Sequence, residues 1–344
     1  MAALLPRETE VLRIIIEDYI ANAQPVGSRT VAKQSGLSLS PASMRNVMAD
    51  LTDKGYLEQP HTSAGRIPTA VAFRHYINAN MAPRQLTVEE KSRIGVYLHQ
   101  AGLDLSEVLN QATKLLSTFS HQVALILAPS REDVRWREIG FSLIRPGVVL
   151  AVLVLDGGIV QNRLIEAEPD VTKDDLTTFG NYLNEHFRGR TLSEARTLIG
   201  NELEGAKRRL QRLYARALQL ARSTFEHLEK RQMFVEGATY ILDQTEFADL
   251  TKIRDILRLL EERSRLLKLL DRTIAEKGVK IMLDDEAELD DLKGCGVVTS
   301  SYGDAAQTRG VISVIGPMRM DYAKVVPAVD FIAKTLTELL KERL

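Results

Sequence analysis

The order in which apolar periodicity changes along the chain constrains its fold more than any single motif. Helical spacing runs to Ser120, and four short β-branched or leucine-rich runs follow, at residues 121–129, 136–144, 148–155 and 159–167. Helical spacing returns over 171–231 and 250–275, then strand patterns resume at 279–283, 296–300 and 311–315 before a last helix over 321–344. Arg145-Pro146-Gly147 and Asp156-Gly157-Gly158 are hairpin-type turn signals, so the second to fourth runs read as an antiparallel meander. A sheet interrupted by helices and then resumed predicts an α+β multidomain fold in which one mixed α/β domain carries an insertion. At 344 residues the chain exceeds the usual size of a single core, which agrees with two or three domains.

The first domain is expected over residues 1–80. Val11, Leu12, Ile15, Ile16, Tyr19 and Ile20 recur at helical spacing, with Pro6 in the first turn. After Gln24-Pro25-Val26-Gly27, Ser28 is placed to cap a short helix that ends at Gly36. Ser40 before Pro41 pairs an N-cap with a proline at the first helical position, and Gly55 supplies the matching stop. Tyr56 to Gln59 then reads as a strand, Pro60 to Gly65 as a turn, and Arg66-Ile67 as the start of a return strand. Thr69 caps a further helix through Phe73, Tyr76 and Ile77, and Met81-Ala82-Pro83 marks a linker.

The helix after Ser40 carries the functional signal. Met44, Val47, Met48 and Leu51 share one face and must point inward. The other face is small and polar, with Ala42, Asn46 and Ala49 at its centre and Ser43, Arg45 and Asp50 at its edges. Arginine and asparagine carry the paired donors and acceptors that match guanine and adenine edges in the major groove. A short helix, a tight turn and a helix of this kind have the layout of a helix-turn-helix reader. The tip that follows combines His61, the hydroxyls of Thr62 and Ser63, Gly65 and the guanidinium of Arg66, a set suited to sugar-phosphate or the minor groove. The candidate DNA-contacting residues are therefore Ser40, Ala42, Ser43, Arg45, Asn46, His61, Thr62, Ser63, Gly65 and Arg66, with Arg45 suited equally to a base or a phosphate.

Charge places the same segment opposite a polyanion. The whole chain has a net charge of -1, but residues 27–75 hold six basic against three acidic side chains, whereas residues 1–26 hold two against four. On pattern alone, three helices and a hairpin also build protein–protein modules, and that alternative stays open. Leu203, Leu210, Leu213 and Leu220 lie on a heptad seam, readable either as a helix packed in its own domain or as pairing between chains. A reader covers few base pairs, which favours a homodimer joined through this seam or through the meander.

Other function classes find little support. The six histidines show no paired metal-ligand spacing, and no phosphate-loop or dinucleotide glycine pattern is present, so neither cofactor nor enzyme activity is expected. Cys295 opens a strand and reads as a small core hydrophobe rather than a nucleophile. The acidic run Asp284-Asp285-Glu286 with Glu288, Asp290 and Asp291 lacks EF-hand spacing and reads as a solvated turn. No apolar stretch reaches membrane-spanning length and no secretory leader is read at the N-terminus, which points to the cytoplasm.

Specific residues go further than pattern. Ser40 to Leu51, Gly55-Tyr56-Leu57 and Gln59 to Thr69 closely resemble the N-terminal signature of the HrcA heat-inducible transcription repressors. The likeness continues through Pro25 to Ser28, Asn184 to Leu192 and Gly316 to Tyr322, and so spans nearly the whole chain. It departs at Met44, where the family often has a smaller branched residue, and at Ala70-Val71-Ala72, which replaces a more polar, glycine-containing stretch.

The resemblance implies a winged helix-turn-helix at the N-terminus and a C-terminal GAF-like α/β domain with an inserted dimerisation domain. On the sequence, residues 81–170 are assigned to the first part of the GAF-like domain, 171–231 to the insertion and 232–344 to the second part, with the meander also open to assignment to the insertion. It further implies a dimer on an inverted-repeat operator, CIRCE, upstream of chaperone operons of the groE and dnaK type. A GroEL-type chaperonin would maintain the active form. The rival is a regulator sensing a small molecule in a GAF-like pocket, for which Ser300, Ser301, Tyr302 and Arg309 are candidate lining groups.

Overall fold

The computed structural model describes residues 4–36, 40–61, 64–79, 81, 84–102, 104–129, 134–156, 160–208, 212–225, 231–244, 250–274, 278–303 and 309–343; residues 202–208, 212–214, 225, 250 and 343 are described by backbone alone. The N-terminal unit contains α1 (Pro6–Asn22), α2 (Ser28–Gln34), α3 (Pro41–Asp53), β1 (Leu57–Glu58), β2 (Ile67–Pro68) and α4 (Ala70–Ala79). Pro41 takes the first turn of α3, and Ser40 accepts the Ser43 N–H at 3.1 Å. Gly55, at φ 78°, supplies the left-handed step that turns the chain into β1. In α2, Ser28 is the first helical residue and Gly27 is the cap, so the expected serine cap is not formed and the helix ends at Gln34. The hairpin is short, Leu57 pairing with Pro68 and Glu58 with Ile67, and an antiparallel bridge from Val26 to Arg66 adds a third segment.

The inward face of α3 closes this unit: Met44 and Leu51 are fully buried and Val47 and Met48 nearly so, packed with Val11, Leu12, Ile15 and Ile16 of α1. Burying each such side chain contributes about 1.5–3 kcal/mol, which outweighs the weak intrinsic preference of short helices.

The second unit is built on a five-stranded antiparallel sheet. Its strands are β3 (Val123–Leu127), β7 (Met233–Glu236), β8 (Val279–Leu283), β9 (Cys295–Tyr302) and β10 (Gly310–Pro317), in the order β7-β3-β10-β9-β8. One face packs on α6 (Leu105–Ser120) and the C-terminal helix α12 (Tyr322–Arg343), with α5 (Val88–Gln100) outside α6. The other packs on α10 (Leu250–Glu261) and α11 (Arg263–Ile274). Burial on both faces explains why β3 and β10 read as unbroken apolar runs rather than alternating ones.

The meander of β4 (Trp136–Arg145), β5 (Val148–Leu155) and β6 (Val160–Glu166) forms a separate three-stranded sheet. Its strands bond to one another, and α7 (Lys173–Phe187), α8 (Leu192–Arg208) and α9 (Arg212–Phe225) belong with it. In the five-stranded sheet Leu127 is paired with Met233, so the chain leaves after β3 and returns beside its point of departure. The topological break therefore falls at 128–232, so the meander lies outside the five-stranded sheet, the second of the two assignments the sequence leaves open, because strand patterning alone does not say which strands share a sheet.

The two end units share one apolar cluster. Phe73 of α4 and Tyr322 of α12 are both 1% exposed, with ring centroids 6.5 Å apart.

Candidate nucleic-acid interface

With its apolar face committed to the core, α3 leaves Ala42, Arg45, Asn46 and Ala49 exposed and Ser43 half-buried, the division expected from spacing. The hydroxyls of Ser40 and Ser43 lie 3.1 Å apart, so this pair is engaged at the helix start. A cleft of about 570 Å³ runs beside this face. Val26 to Arg29 at the start of α2, Arg45 and Met48 of α3, and Gln59, Ala64, Gly65 and Arg66 of the hairpin line it. Three guanidinium groups, from Arg29, Arg45 and Arg66, thus border one depression. Among the described residues no carboxylate pairs with Arg29 or Arg45, whereas Arg13 on α1 is neutralised by Glu10 and Glu17 at 2.6 Å each. Arg29 shows in the sequence only as a charge and Gln59 only as a strand residue; their convergence depends on the hairpin folding back against Val26, just before α2.

The hairpin is tied to α3 rather than left to swing. Arg66 Nε donates to Thr52 Oγ1 at 3.1 Å, and the Thr52 hydroxyl in turn donates to the Met48 carbonyl at 2.8 Å. Gln59 Nε2 donates to the Ala64 carbonyl at 3.2 Å across the base of the tip. His61 is exposed, and Thr62 and Ser63 lie outside the described residues. The reason for glycine at 65 is internal: a Cβ there would sit 2.5 Å from the Val26 carbonyl oxygen. The close approach expected at this glycine is therefore to the chain's own backbone.

Beneath the C-terminal end of α3, Lys54 reaches Glu8 at 2.7 Å, and the Glu8 carboxylate also accepts the Leu5 N–H at 2.9 Å. The Lys54 hydrogen bond, then that backbone N–H, hold the Glu8 carboxyl below its ordinary range against the opposing cost of burial.

Away from the cleft, the other singled-out residues have structural occupations. The Cys295 thiol is 1% exposed and pushed up to about 12 by desolvation, so it is neither thiolate nor nucleophile near neutrality. The acidic run is not simply solvated: Glu286 pairs with Arg74, Glu288 with Arg272, Asp290 with Lys293 and Asp291 with Arg265. Tyr302 donates to the Leu127 carbonyl at 3.1 Å, and Arg309 to the Ile274 carbonyl at 3.3 Å. Leu220 is 5% exposed and packs with Val149, Ile165 and Phe179 of its own chain, which removes it from a surface seam. Of the other expected seam residues, Leu210 lies outside the described residues and Leu203 and Leu213 are described by backbone alone. Among the described residues no helix is long and apolar enough to cross a membrane.

The sequence profile described as "HrcA protein C terminal domain" matches residues 106–326 of this chain. The heat-inducible transcription repressor HrcA of Nitratidesulfovibrio vulgaris (strain DSM 19637 / Miyazaki F) is 50% identical over 347 residues, spanning 100% of this chain and 98% of that protein. The chain belongs to the HrcA family of heat-inducible transcription repressors. The HrcA of Geobacter sulfurreducens is 43% identical over 341 residues, covering 99% of both chains. A crystal structure titled only as a hypothetical protein shares the fold, with a TM-score of 0.69, 22% identity and coverage of 99% of this chain and 100% of that one.

Two segments of the HrcA likeness outside the N-terminal unit are seen to be architectural. Asn184 Oδ1 accepts from Trp136 Nε1 at 3.1 Å and from the Ile139 N–H at 2.7 Å, bracketing α7 against β4. Gly316 leaves room for Gln122, and Gly296 for the Tyr322 hydroxyl, each of which a Cβ would approach within 2.2 Å.

Proposed function

We propose that this HrcA-family chain represses transcription as a homodimer that lays two α3 helices into the major groove at the half-sites of an inverted repeat of the CIRCE type. In this reading the N-terminal unit is a winged helix-turn-helix, the hairpin around His61 to Arg66 is its wing, and occupancy of the promoter of chaperone operons is the repressing event. The carrying observation is the exposed Ala42–Arg45–Asn46–Ala49 face of α3 beside a cleft bordered by Arg29 and Arg66. Small side chains let the helix approach closely, asparagine and arginine supply base-edge or phosphate contacts, and the flanking guanidinium groups favour phosphate.

The five-stranded-sheet domain corresponds to the GAF-like domain and residues 128–232 to the inserted dimerisation domain. Support for the latter comes from the open face of the three-stranded sheet, where Val148, Leu150, Val152 and Val154 are half-buried and Val160 and Leu164 are 55% and 62% exposed. By family resemblance, a GroEL-type chaperonin in the cytoplasm maintains the active repressor, and unfolded proteins draw it away on heating. A gel shift with an inverted-repeat duplex and its scrambled counterpart, with and without chaperonin, tests the reading. Equal affinity for both duplexes under every condition refutes it.

A ligand-sensing reading has one observation in its favour. Thr299 and Ser313 face each other across β9 and β10, 1% and 0% exposed, and neither hydroxyl has a hydrogen-bond partner among the described residues. Calorimetry against small polar metabolites, followed by operator titration with any that bind, decides between a sensor and a chaperonin-titrated repressor.

A further inference from the structure

The N-terminal unit is not hung on a linker; two arginines, one from each side, reach across its junction with the rest of the chain. Arg74, on α4, donates to the Ile281 carbonyl in the middle of β8 at 2.9 Å and also grips the Glu286 carboxylate, with its Nε 3.2 Å from one oxygen. Arg319, just before α12, donates in the other direction, to the Ile20 carbonyl of α1 at 3.3 Å and to the Gln244 side chain at 2.9 Å. The buried rings of Phe73, next to Arg74 in the chain, and Tyr322, three residues after Arg319, meet across the same junction. Domains joined by a small polar contact swing freely, but a shared apolar core pinned by guanidinium groups with several acceptors holds one orientation.

The path from this junction to α3 is short and rigid. His75, next to Arg74, packs edge-on against Tyr56 at 5.7 Å. The Thr69 hydroxyl before α4 lies 2.8 Å from the Gly55 carbonyl, and the Thr69 N–H donates to Tyr56 at 3.0 Å. Tyr56 donates its own N–H to Leu51 of α3 at 2.9 Å. Docking also leaves Ala42, Arg45, Asn46 and Ala49 exposed, so the junction aims the reader without masking it.

We propose that Arg74 and Arg319 are spacing determinants: by fixing the N-terminal unit on the body of each subunit, they set the separation and relative twist of the two readers, and so the half-site spacing the dimer accepts. This rests on the dimeric operator reading above. Each added base pair moves one half-site by about 3.4 Å and turns it by about 35°, so a rigid pair of readers tolerates little change.

The test uses the full-length chain and fluorescence anisotropy at one fixed salt concentration. The probes are CIRCE-type duplexes with the spacer changed by one to three base pairs, and a duplex with a single half-site. Wild-type protein should lose about tenfold or more in affinity when the spacer changes by two base pairs. The Arg74→Ala/Arg319→Ala variant should lose less than about threefold on the same change, while its single half-site affinity stays within about twofold of wild type. Should that variant fail to fold, Arg74→Gln and Arg319→Gln, which keep most of the bulk, are read in its place and should flatten the profile in the same direction. A spacer profile as sharp as wild type in any folded variant overturns the proposal, as does a flattened profile accompanied by an equal loss on the single half-site. Wild-type protein indifferent to spacer length would instead bring down the operator reading itself.

Discussion

Lys54, the C-terminal cap of α3, places its ammonium 2.7 Å from the carboxylate of Glu8, whose side chain is 3% exposed at the start of α1. This ion pair ties the end of α3 to the opening turn of the protein. Removing the lysine strands a buried carboxylate, whereas removing the carboxylate frees a lysine that can turn to water. Lys54→Met should therefore destabilise by about 1–3 kcal/mol, and Glu8→Gln by less, the figure discounted for the partial exposure of Lys54. Urea titration of both variants checks the order.

The same pair predicts an acid dependence. The folded Glu8 carboxyl lies below its ordinary value of 4.5, so its contribution is present in full above that pH and is lost as acid protonates it through the lowered value. Wild-type stability should fall on this limb more steeply than that of Glu8→Gln. Parallel slopes between pH 5 and pH 2 in thermal melts, the ordinary carboxylate range, would remove the assigned role.

Asn46 stands in the middle of the exposed face of α3, with no bulky neighbour at Ala42 or Ala49. Asn46→Ala should cost about 1–3 kcal/mol on the operator and leave random duplex unchanged if the amide reads a base. Equal losses on both duplexes would reassign Asn46 to general binding.

Arg66 is placed in two ways that substitution can separate: it borders the cleft, and its Nε is bonded to Thr52. Arg66→Gln should weaken binding to all duplexes and flatten the dependence of log affinity on log salt by about one unit. Thr52→Val removes the tether without touching charge, so it should lower affinity at an unchanged salt slope. If Thr52→Val also flattened the slope, the tether and the phosphate contact would be inseparable.

How much of this was legible beforehand follows from the range of each interaction. The limits of α3 were readable because Ser40, Pro41 and Gly55 act on their own neighbours, and its buried face because Met44, Val47, Met48 and Leu51 repeat at helical spacing. Periodicity names a face but not its cover. The Glu8–Lys54 pair spans 46 residues and the Arg74–Glu286 pair 212, and neither leaves a local trace. The start of the insertion stays open in the sequence for the same reason, since only the pairing of β3 with β7 reveals where the chain left its sheet. Gly65 was marked as a point of close approach, but the surface approached is Val26.

The leucines of the insertion separate packing within the subunit from pairing between subunits. Leu220 is buried under β5 and β6, and its heptad seam is readable as packing within the chain or as pairing between chains because such a pattern records only that one stripe is covered. Leu220→Ala should lower stability by about 2–5 kcal/mol through the cavity it leaves, with loss of dimer only as the fold is lost. Leu164, 62% exposed on the open face of the same sheet, should behave oppositely. Leu164→Glu costs the monomer little, yet places a charge in the middle of any interface formed there. Sedimentation velocity and thermal melts on both variants distinguish the two. A Leu164→Glu protein that remains dimeric at low micromolar concentration would move the subunit contact off this sheet, and a Leu220→Ala protein that is monomeric but fully stable would return it to the seam.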